Sequence, residues 1–130
     1  MAEQKKFTVN LISFGFKHGS IEDVNFIWDV RFLPNPYWVD DLRPKNGLDY
    51  EVSDYVVASS EGHNFIKLMK PMLLFLIQQN RAAKKEVVTI AVGCTGGKHR
   101  SVAVVEVLRD ILQMMPIELT VHHRDIEKES

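Results

Sequence analysis

The sequence predicts an α/β fold: a single three-layer domain with a mostly parallel four-stranded sheet and helices on both faces. Short apolar runs rich in β-branched residues, at 7–14 and 87–92, are typical of buried strands. Between and after them, apolar residues recur with helical spacing. Strands that alternate with helices indicate βαβ units, whose strands run parallel. The 130 residues, 45% of them apolar, suit one domain over 1–130 with a core at about 7–124.

Each predicted element has a local reason in the sequence. Four apolar runs are predicted as strands: 7–14, 26–30, 87–92 and 117–121. Three segments with helical spacing are predicted as helices: 49–57, 63–79 and 101 to about 114. Three prolines and Asn46-Gly47 exclude extended regular structure from 31–49. Pro71 should kink the second helix or start a new one, and an apolar row on that helix is assigned to the core: Phe65, Leu68, Met69, Met72, Leu73 and Leu76.

The stretch 87–101, VVTIAVGCTGGKHRS, carries the strongest functional signal. A strand, a glycine-rich turn and a helix in this order expose backbone N–H groups at a helix N-terminus, where the helix dipole favours an anion. Three basic or potentially basic side chains meet there and would repel one another without such a guest. The pattern predicts a phosphate site at Thr95, Gly96, Gly97, Lys98, His99, Arg100 and Ser101.

Two alternatives remain for this loop. Cys94, five further residues, Arg100 and Ser101 have the spacing of a protein tyrosine phosphatase loop, in which a thiolate attacks phosphorus and the arginine clamps oxygens. Asp29 is a candidate general acid for that reaction, and otherwise a residue that orients Arg31, binds a sugar hydroxyl or caps the following loop. Otherwise Cys94 is a small buried residue and the glycines only turn the chain. The spacing of a Walker loop is absent, which disfavours nucleoside triphosphate hydrolysis.

The other predicted strand ends also carry polar side chains. Ligands of open parallel sheets bind outside the carboxyl ends of the strands. These ends supply further binding candidates: Lys17, Asp29, Arg31 and Arg124. His63 and Asn64, at the start of an apolar helix, are candidates for either a ligand or a capping role.

Composition narrows the classes of function. A net charge of −1 disfavours a chain-wide nucleic-acid footprint, and one cysteine cannot form an internal disulfide. The sequence contains no run of about 20 apolar residues and no signal peptide, so we expect a cytoplasmic protein without a membrane partner. A lone cysteine and scattered histidines do not make a metal set, and no cofactor is expected.

Five segments together resemble the C-terminal domain of the RapZ family of RNase adapter and nucleotide-binding proteins. They are ISFGFKHG at 12–19, DVRFLPNPYW at 29–38, LRPKNGLD at 42–49, HNFI at 63–66 and GCTGGKHRSV at 93–102. The resemblance runs in order from about residue 9 to 124. Family members carry an N-terminal P-loop kinase-like domain, which we expect this chain to lack. They have His where this chain has Tyr37.

The resemblance implies a fold similar to the sugar-phosphate-binding part of phosphofructokinases. It also implies a regulatory domain that senses glucosamine 6-phosphate and contributes to RNA binding, rather than an enzyme. The family's ligand loop corresponds to residues 95–100, with Asp29 and Arg31 in a second segment. The expected partners are a phosphorylated small molecule or a phosphate or sulfate anion, with RNA and a homo-oligomer as further candidates.

Overall fold

A computed structural model describes residues 6–130 of the protein. Four strands are formed: β1 (Thr8–Gly15), β2 (Phe26–Asp29), β3 (Val87–Cys94) and β4 (Glu118–His123). Three α-helices are formed: α1 (Tyr50–Val57), α2 (Ser60–Ala82) and α3 (Arg100–Leu112). Two short 3-10 turns, Phe16–His18 and Pro36–Trp38, follow the first two strands. The predicted α/β class is confirmed.

All four strands are parallel and lie in the order β2-β3-β1-β4. The register places Gly15 of β1 opposite Cys94 of β3, and Asp29 of β2 opposite Gly93. On the other side of β1, Ser13 lies opposite His123 of β4. The carboxyl ends of the four strands are therefore level, and the segments that follow them meet at one edge of the sheet.

The main core lies on one face of the sheet. Alternate strand residues such as Leu11 and Ile90 point to this face and are fully buried. They join one apolar cluster with residues of all three helices, including Leu73 and Leu108. Full burial of such a side chain stabilises the fold by roughly 1.5–3 kcal/mol.

The opposite face is covered at its carboxyl end by the first 3-10 turn. Phe16 of this turn packs against Phe14, with ring centroids 4.8 Å apart, and both rings lie against Gly93. Farther along this face, Thr120 Oγ1 donates to Asn10 Oδ1. Asn10 Nδ2 in turn donates to Thr89 Oγ1 at 3.2 Å. This part of the face is thus polar and hydrogen-bonded across three strands.

Helix α2 departs from the sequence prediction in three ways. It begins after Ser59, whose Oγ accepts the Gly62 N–H at 2.9 Å, so Ser59 rather than Asn64 caps it. It continues through Pro71, and the prediction of a new helix there is wrong. Pro71 lies on the exposed side, where water can hydrate the carbonyl that loses its donor. The core assignment is wrong for Leu68 and Met72, which are 74% and 52% exposed.

Within residues 6–130, no helix combines the length and the apolar character needed to cross a membrane.

Candidate functional site

The glycine-rich loop, residues 95–99, connects the end of β3 to the start of α3 at the carboxyl edge of the sheet. Gly97 has φ +74°, a conformation that favours glycine. A side chain at Gly97 would collide with the backbone of Gly15, at the end of the neighbouring strand. The position of this loop therefore depends on close contact between two backbones.

The loop lies where the connections of two neighbouring strands diverge. The chain leaves β1 to reach β2 on one side, whereas it leaves β3 through α3 to reach β4 on the other. Such a switch point opens a crevice between the strand ends, and it is where parallel sheets bind their ligands. The sheet order thus gives the loop the usual position of a ligand site.

Arg100, the first residue of α3, is the most constrained cation at this crevice. It is 5% exposed, and its Nη1 donates to the Arg31 carbonyl at 2.6 Å. Its Nη2 donates to Thr95 Oγ1 at 3.3 Å, whereas its buried Nε has no hydrogen-bond partner. Burial lowers the pKa of Arg100, although a guanidinium remains protonated in proteins. A buried donor without a partner is costly, and an anion bound at this position would satisfy it.

Cys94 lies at the base of the loop and is buried. Its Sγ accepts the N–H groups of Gly97 and Ser101 at 3.3 and 3.4 Å. The thiol donates to Ser101 Oγ at 3.2 Å. Cys94 and Ser101 consequently hold the two ends of the loop together.

A cavity of about 250 Å³ opens above the loop. Five of the predicted site residues line it: Thr95, Gly96, Lys98, His99 and Arg100. The other lining residues are Asn35, Tyr37, Trp38, Cys94 and Ser130. Gly97 and Ser101 do not line the cavity. They fix the shape of the loop through contacts with Gly15 and Cys94.

His99 is buried, and its ring pairs through Nε2 with the Arg43 carbonyl at 3.1 Å. Loss of hydration on burial is the main cause that lowers the pKa of His99, so its ring is neutral at pH 7. The neighbouring Lys98 carbonyl accepts the Gly47 N–H at 2.9 Å. The 42–49 segment thereby supports the loop from the side.

Asp29 and Arg31 form an ion pair beside the cavity but do not line it. Arg31 Nη2 lies 2.7 Å from Asp29 Oδ2, and about half of each side chain is exposed. The hydrogen bond from Arg31 lowers the pKa of Asp29. The guanidinium of Arg31 also lies 4.2 Å from the centre of the Phe16 ring. The pair influences the site only indirectly, because the Arg31 carbonyl accepts a hydrogen bond from Arg100.

The last residues of the chain fold back over the loop. Lys17 Nζ donates to a main-chain oxygen of Ser130 at 2.6 Å, and a side chain at Gly96 would collide with Ser130. The Lys17 ammonium is thus already hydrogen-bonded within the domain. Arg124 donates to the carbonyls of Gly19 and Ser20, both at 2.9 Å, and holds the loop after β1 instead of facing the cavity.

His63 and Asn64 lie exposed in the first turn of α2 and do not line the cavity.

Sequence reasoning did not single out Asp125, which is fully buried and accepts the Gly15 N–H at 2.8 Å. The sequence signal that could have identified Asp125 is its position two residues after the end of β4. Within residues 6–130, His, Cys, Asp and Glu side chains form no group of three that could hold a metal.

The fold and the loop define a parallel α/β domain with a glycine-rich loop and a buried arginine at its carboxyl edge. The sequence profile of the RapZ C-terminal domain matches residues 7–127, and the chain belongs to this family. The predicted resemblance is thereby confirmed.

The relatives are longer proteins. A nucleotide-binding protein of Halalkalibacterium halodurans is 47% identical over 128 residues, which cover 97% of this chain and 42% of that protein. One of Bacillus licheniformis is 46% identical over 124 residues, covering 95% of this chain and 42% of the relative. One of Staphylococcus aureus strain JH9 is 46% identical over 129 residues, covering 98% and 43%. The chain spans about two fifths of the length of these relatives, 42–43%.

Proposed function

We propose that this domain binds a phosphorylated small molecule at the glycine-rich loop and acts as a sensor. The observation that supports this most directly is Arg100, which lines the cavity and whose buried Nε has no hydrogen-bond partner. Backbone N–H groups at the N-terminus of α3 and the ammonium of Lys98 would complete the set of donors. An amino-sugar phosphate such as glucosamine 6-phosphate is the first candidate ligand, because the family resemblance implies it.

The bound phosphate would contact the loop in a defined way. The Nε–H of Arg100 would donate to one phosphate oxygen, while its Nη1 stays on the Arg31 carbonyl and fixes the guanidinium plane. Lys98, which also lines the cavity, would add a point charge. His99, neutral at pH 7, would contribute shape and a hydrogen bond instead of charge. Asp29, His63 and Asn64 remain candidates for reading hydroxyl or amine groups, and Lys17 and Arg124 for long-range attraction.

Calorimetric titration with inorganic phosphate and with glucosamine 6-phosphate tests the proposal. Arg100→Lys keeps the charge and removes the planar donor set, so we expect affinity to fall about tenfold or more. Arg100→Ala should cost roughly 2–5 kcal/mol of binding free energy. Arg109→Lys, an exposed change on the same helix, is the control. Unchanged binding in both Arg100 variants would remove Arg100 from the site.

A second candidate function is a cysteine-dependent phosphatase. It is favoured by the two N–H groups that Cys94 Sγ accepts, from Gly97 and Ser101, because the same donors would stabilise a thiolate. Cys94→Ser should abolish hydrolysis of an aryl phosphate and leave anion binding intact. If the unmodified protein hydrolyses no aryl phosphate without metal, this candidate fails.

A contribution to RNA binding, which the family resemblance implies, and a cytoplasmic location, which the sequence composition leads us to expect, complete the proposal. RNA binding through Lys and Arg contacts releases counterions, so affinity should fall steeply as salt is raised. Filter binding of a single-stranded RNA at several salt concentrations measures this slope. A flat slope would leave only the metabolite role.

A further inference from the structure

Two residues, Glu129 and Ser130, form a strap across the glycine-rich loop. A β-carbon on Gly96 would lie 2.5 Å from Ser130 Cα, so the strap packs directly on the loop at this point. Ser130 also lines the 250 Å³ cavity together with Lys98 and Arg100. The strap therefore covers part of the surface that a bound phosphate would use.

Two side chains of the 3-10 turn after β1 hold the strap by its main-chain oxygens. Lys17 Nζ donates to an oxygen of Ser130 at 2.6 Å. His18 Nε2 donates to the Glu129 carbonyl at 2.7 Å. An ammonium and an imidazole N–H are also donors that suit phosphate oxygens. The strap thus places two oxygen atoms against groups that could otherwise attract an anion.

The strap is attached in a way that lets it open without disturbing the core. Both anchoring hydrogen bonds are exposed, so water can replace them at modest cost. Neither strap residue belongs to the apolar cluster. The residue before the strap is fixed independently, because Lys128 Nζ lies 2.8 Å from Asp125 Oδ1 and the Lys128 N–H donates to the Asp125 carbonyl at 3.0 Å. The strap can therefore pivot at a fixed point.

The strap also limits the space that a ligand can occupy. The cavity beside Arg100 measures about 250 Å³, whereas small-molecule sites usually measure roughly 300–1,000 Å³. A second cavity, of about 470 Å³, is lined by Tyr37, Lys98 and both strap residues. Lifting the strap would open the first cavity toward the second. A phosphate ion fits beside the closed strap, but a sugar phosphate needs the larger space.

We propose that the strap is an autoinhibitory lid, which occupies Lys17 and the space above Gly96 in the free domain and lifts when a sugar phosphate binds. The inference rests on the proposed phosphate site and concerns the regulation of that site. Binding of the sugar phosphate requires the open form, so the closed strap reduces its apparent affinity by the fraction of molecules that are open. Opening also releases the Lys17 ammonium to attract the phosphate.

Calorimetric titration of the full chain and of a variant without residues 129–130 tests the lid, with inorganic phosphate and glucosamine 6-phosphate as probes. The deletion should raise the affinity for glucosamine 6-phosphate about 3- to 30-fold, as expected for a strap held by two exposed hydrogen bonds. The affinity for inorganic phosphate should rise less. The variant keeps Lys128 and its ion pair with Asp125. Glu127→Gln removes a carboxylate from the same segment but lines neither cavity, so this control should bind like the wild type.

Amide NMR gives a readout that does not depend on affinity. Saturation of the wild type with glucosamine 6-phosphate should move the amide signals of Glu129 and Ser130 to the positions of an unfolded peptide. His18→Ala, which removes one of the two anchors, should move them part of the way without any ligand.

The failures of the two proposals give different results. Equal or lower affinity for glucosamine 6-phosphate after the deletion overturns the lid and leaves the phosphate site standing, as do strap signals that keep their folded positions at saturation. An equal rise in Glu127→Gln also overturns the lid, because the gain would then come from net charge alone. No binding of either probe to either form overturns the phosphate site, and the lid with it.

Discussion

Asp125→Asn is expected to destabilise the domain at neutral pH through the loss of one buried charge. Asp125 is fully buried, and its Oδ2 accepts the Gly15 N–H at 2.8 Å. Arg124 Nη2 and Lys128 Nζ each lie 2.8 Å from its carboxylate oxygens. An asparagine of the same shape keeps one acceptor but pairs with neither cation as a charge.

The size of the effect follows from the pKa of this carboxyl group. Burial alone would raise the pKa of Asp125, but the hydrogen bonds from Arg124, Gly15 and Lys128 outweigh it and lower the pKa from 3.8 to about 2. Each pKa unit corresponds to about 1.4 kcal/mol. The ionised form therefore contributes roughly 2 kcal/mol of stability above pH 4, which is lost as pH falls from about 4 to 2.

Urea unfolding of the wild type and Asp125→Asn at pH 7, 5, 4 and 3 measures this contribution. The difference in unfolding free energy should be about 2 kcal/mol at pH 7 and about 1 kcal/mol at pH 3. Asp110→Asn, an exposed change on α3, should leave the free energy nearly constant. A difference for Asp125→Asn that does not change between pH 7 and pH 3 would refute the reasoning, because it would come from shape instead of charge.

Three further predictions concern the core and the loop. Leu73→Ala should lower the free energy of unfolding by about 2–5 kcal/mol, whereas Leu68→Ala, on the exposed side of α2, should change it by less than about 0.5 kcal/mol in the same denaturation assay. Gly97→Ala should lower the melting temperature more than Gly19→Ala, since both have positive φ but only Gly97 faces neighbouring backbone; equal shifts would contradict the close contact. Because burial lowers the pKa of His99 from 6.5, the wild type should lose stability as pH falls below about 6.5. His99→Gln should lose less than the wild type between pH 7.5 and 5.5 in thermal melts, and an equal loss would count against this role.

The parts of the fold that local pattern decides could be predicted from the sequence. β3 lies in the interior of the sheet, is rich in Val, Ile and Ala with Thr89 between them, and begins at Val87 as predicted. The buried face of α2 was harder to predict, because ten apolar residues between Phe65 and Ile77 offer two helix faces. Only packing against the rest of the domain decides that Leu73 is buried and Leu68 exposed.

The site was predictable where it consists of consecutive residues and unpredictable where distant residues meet. Residues 95–100 carry a local signal in the sequence, namely two glycines followed by three basic or potentially basic side chains. The role of Asp125 depends on a hydrogen bond to Gly15, 110 positions away in the sequence. The fold of the last residues over Gly96 likewise has no local signal. The sequence placed Lys17 at the correct edge but could not show that Ser130 engages it.

These contacts separate two kinds of residue at the same edge of the sheet. Gly15, Gly97 and Asp125 position the loop through backbone contact and a buried charge, so changing them alters stability and ligand binding together. Lys98 and Trp38 line the cavity without belonging to the core cluster, so changing them should alter binding alone. Arg100 belongs to both kinds, since two carbonyl oxygens hold its Nη1 while its Nε is left without a partner. A ligand that satisfies this Nε should therefore bind more tightly, and the tighter binding stabilises the domain through mass action. Melting temperatures at saturating phosphate should accordingly rise for the wild type, and rise much less for Arg100→Lys.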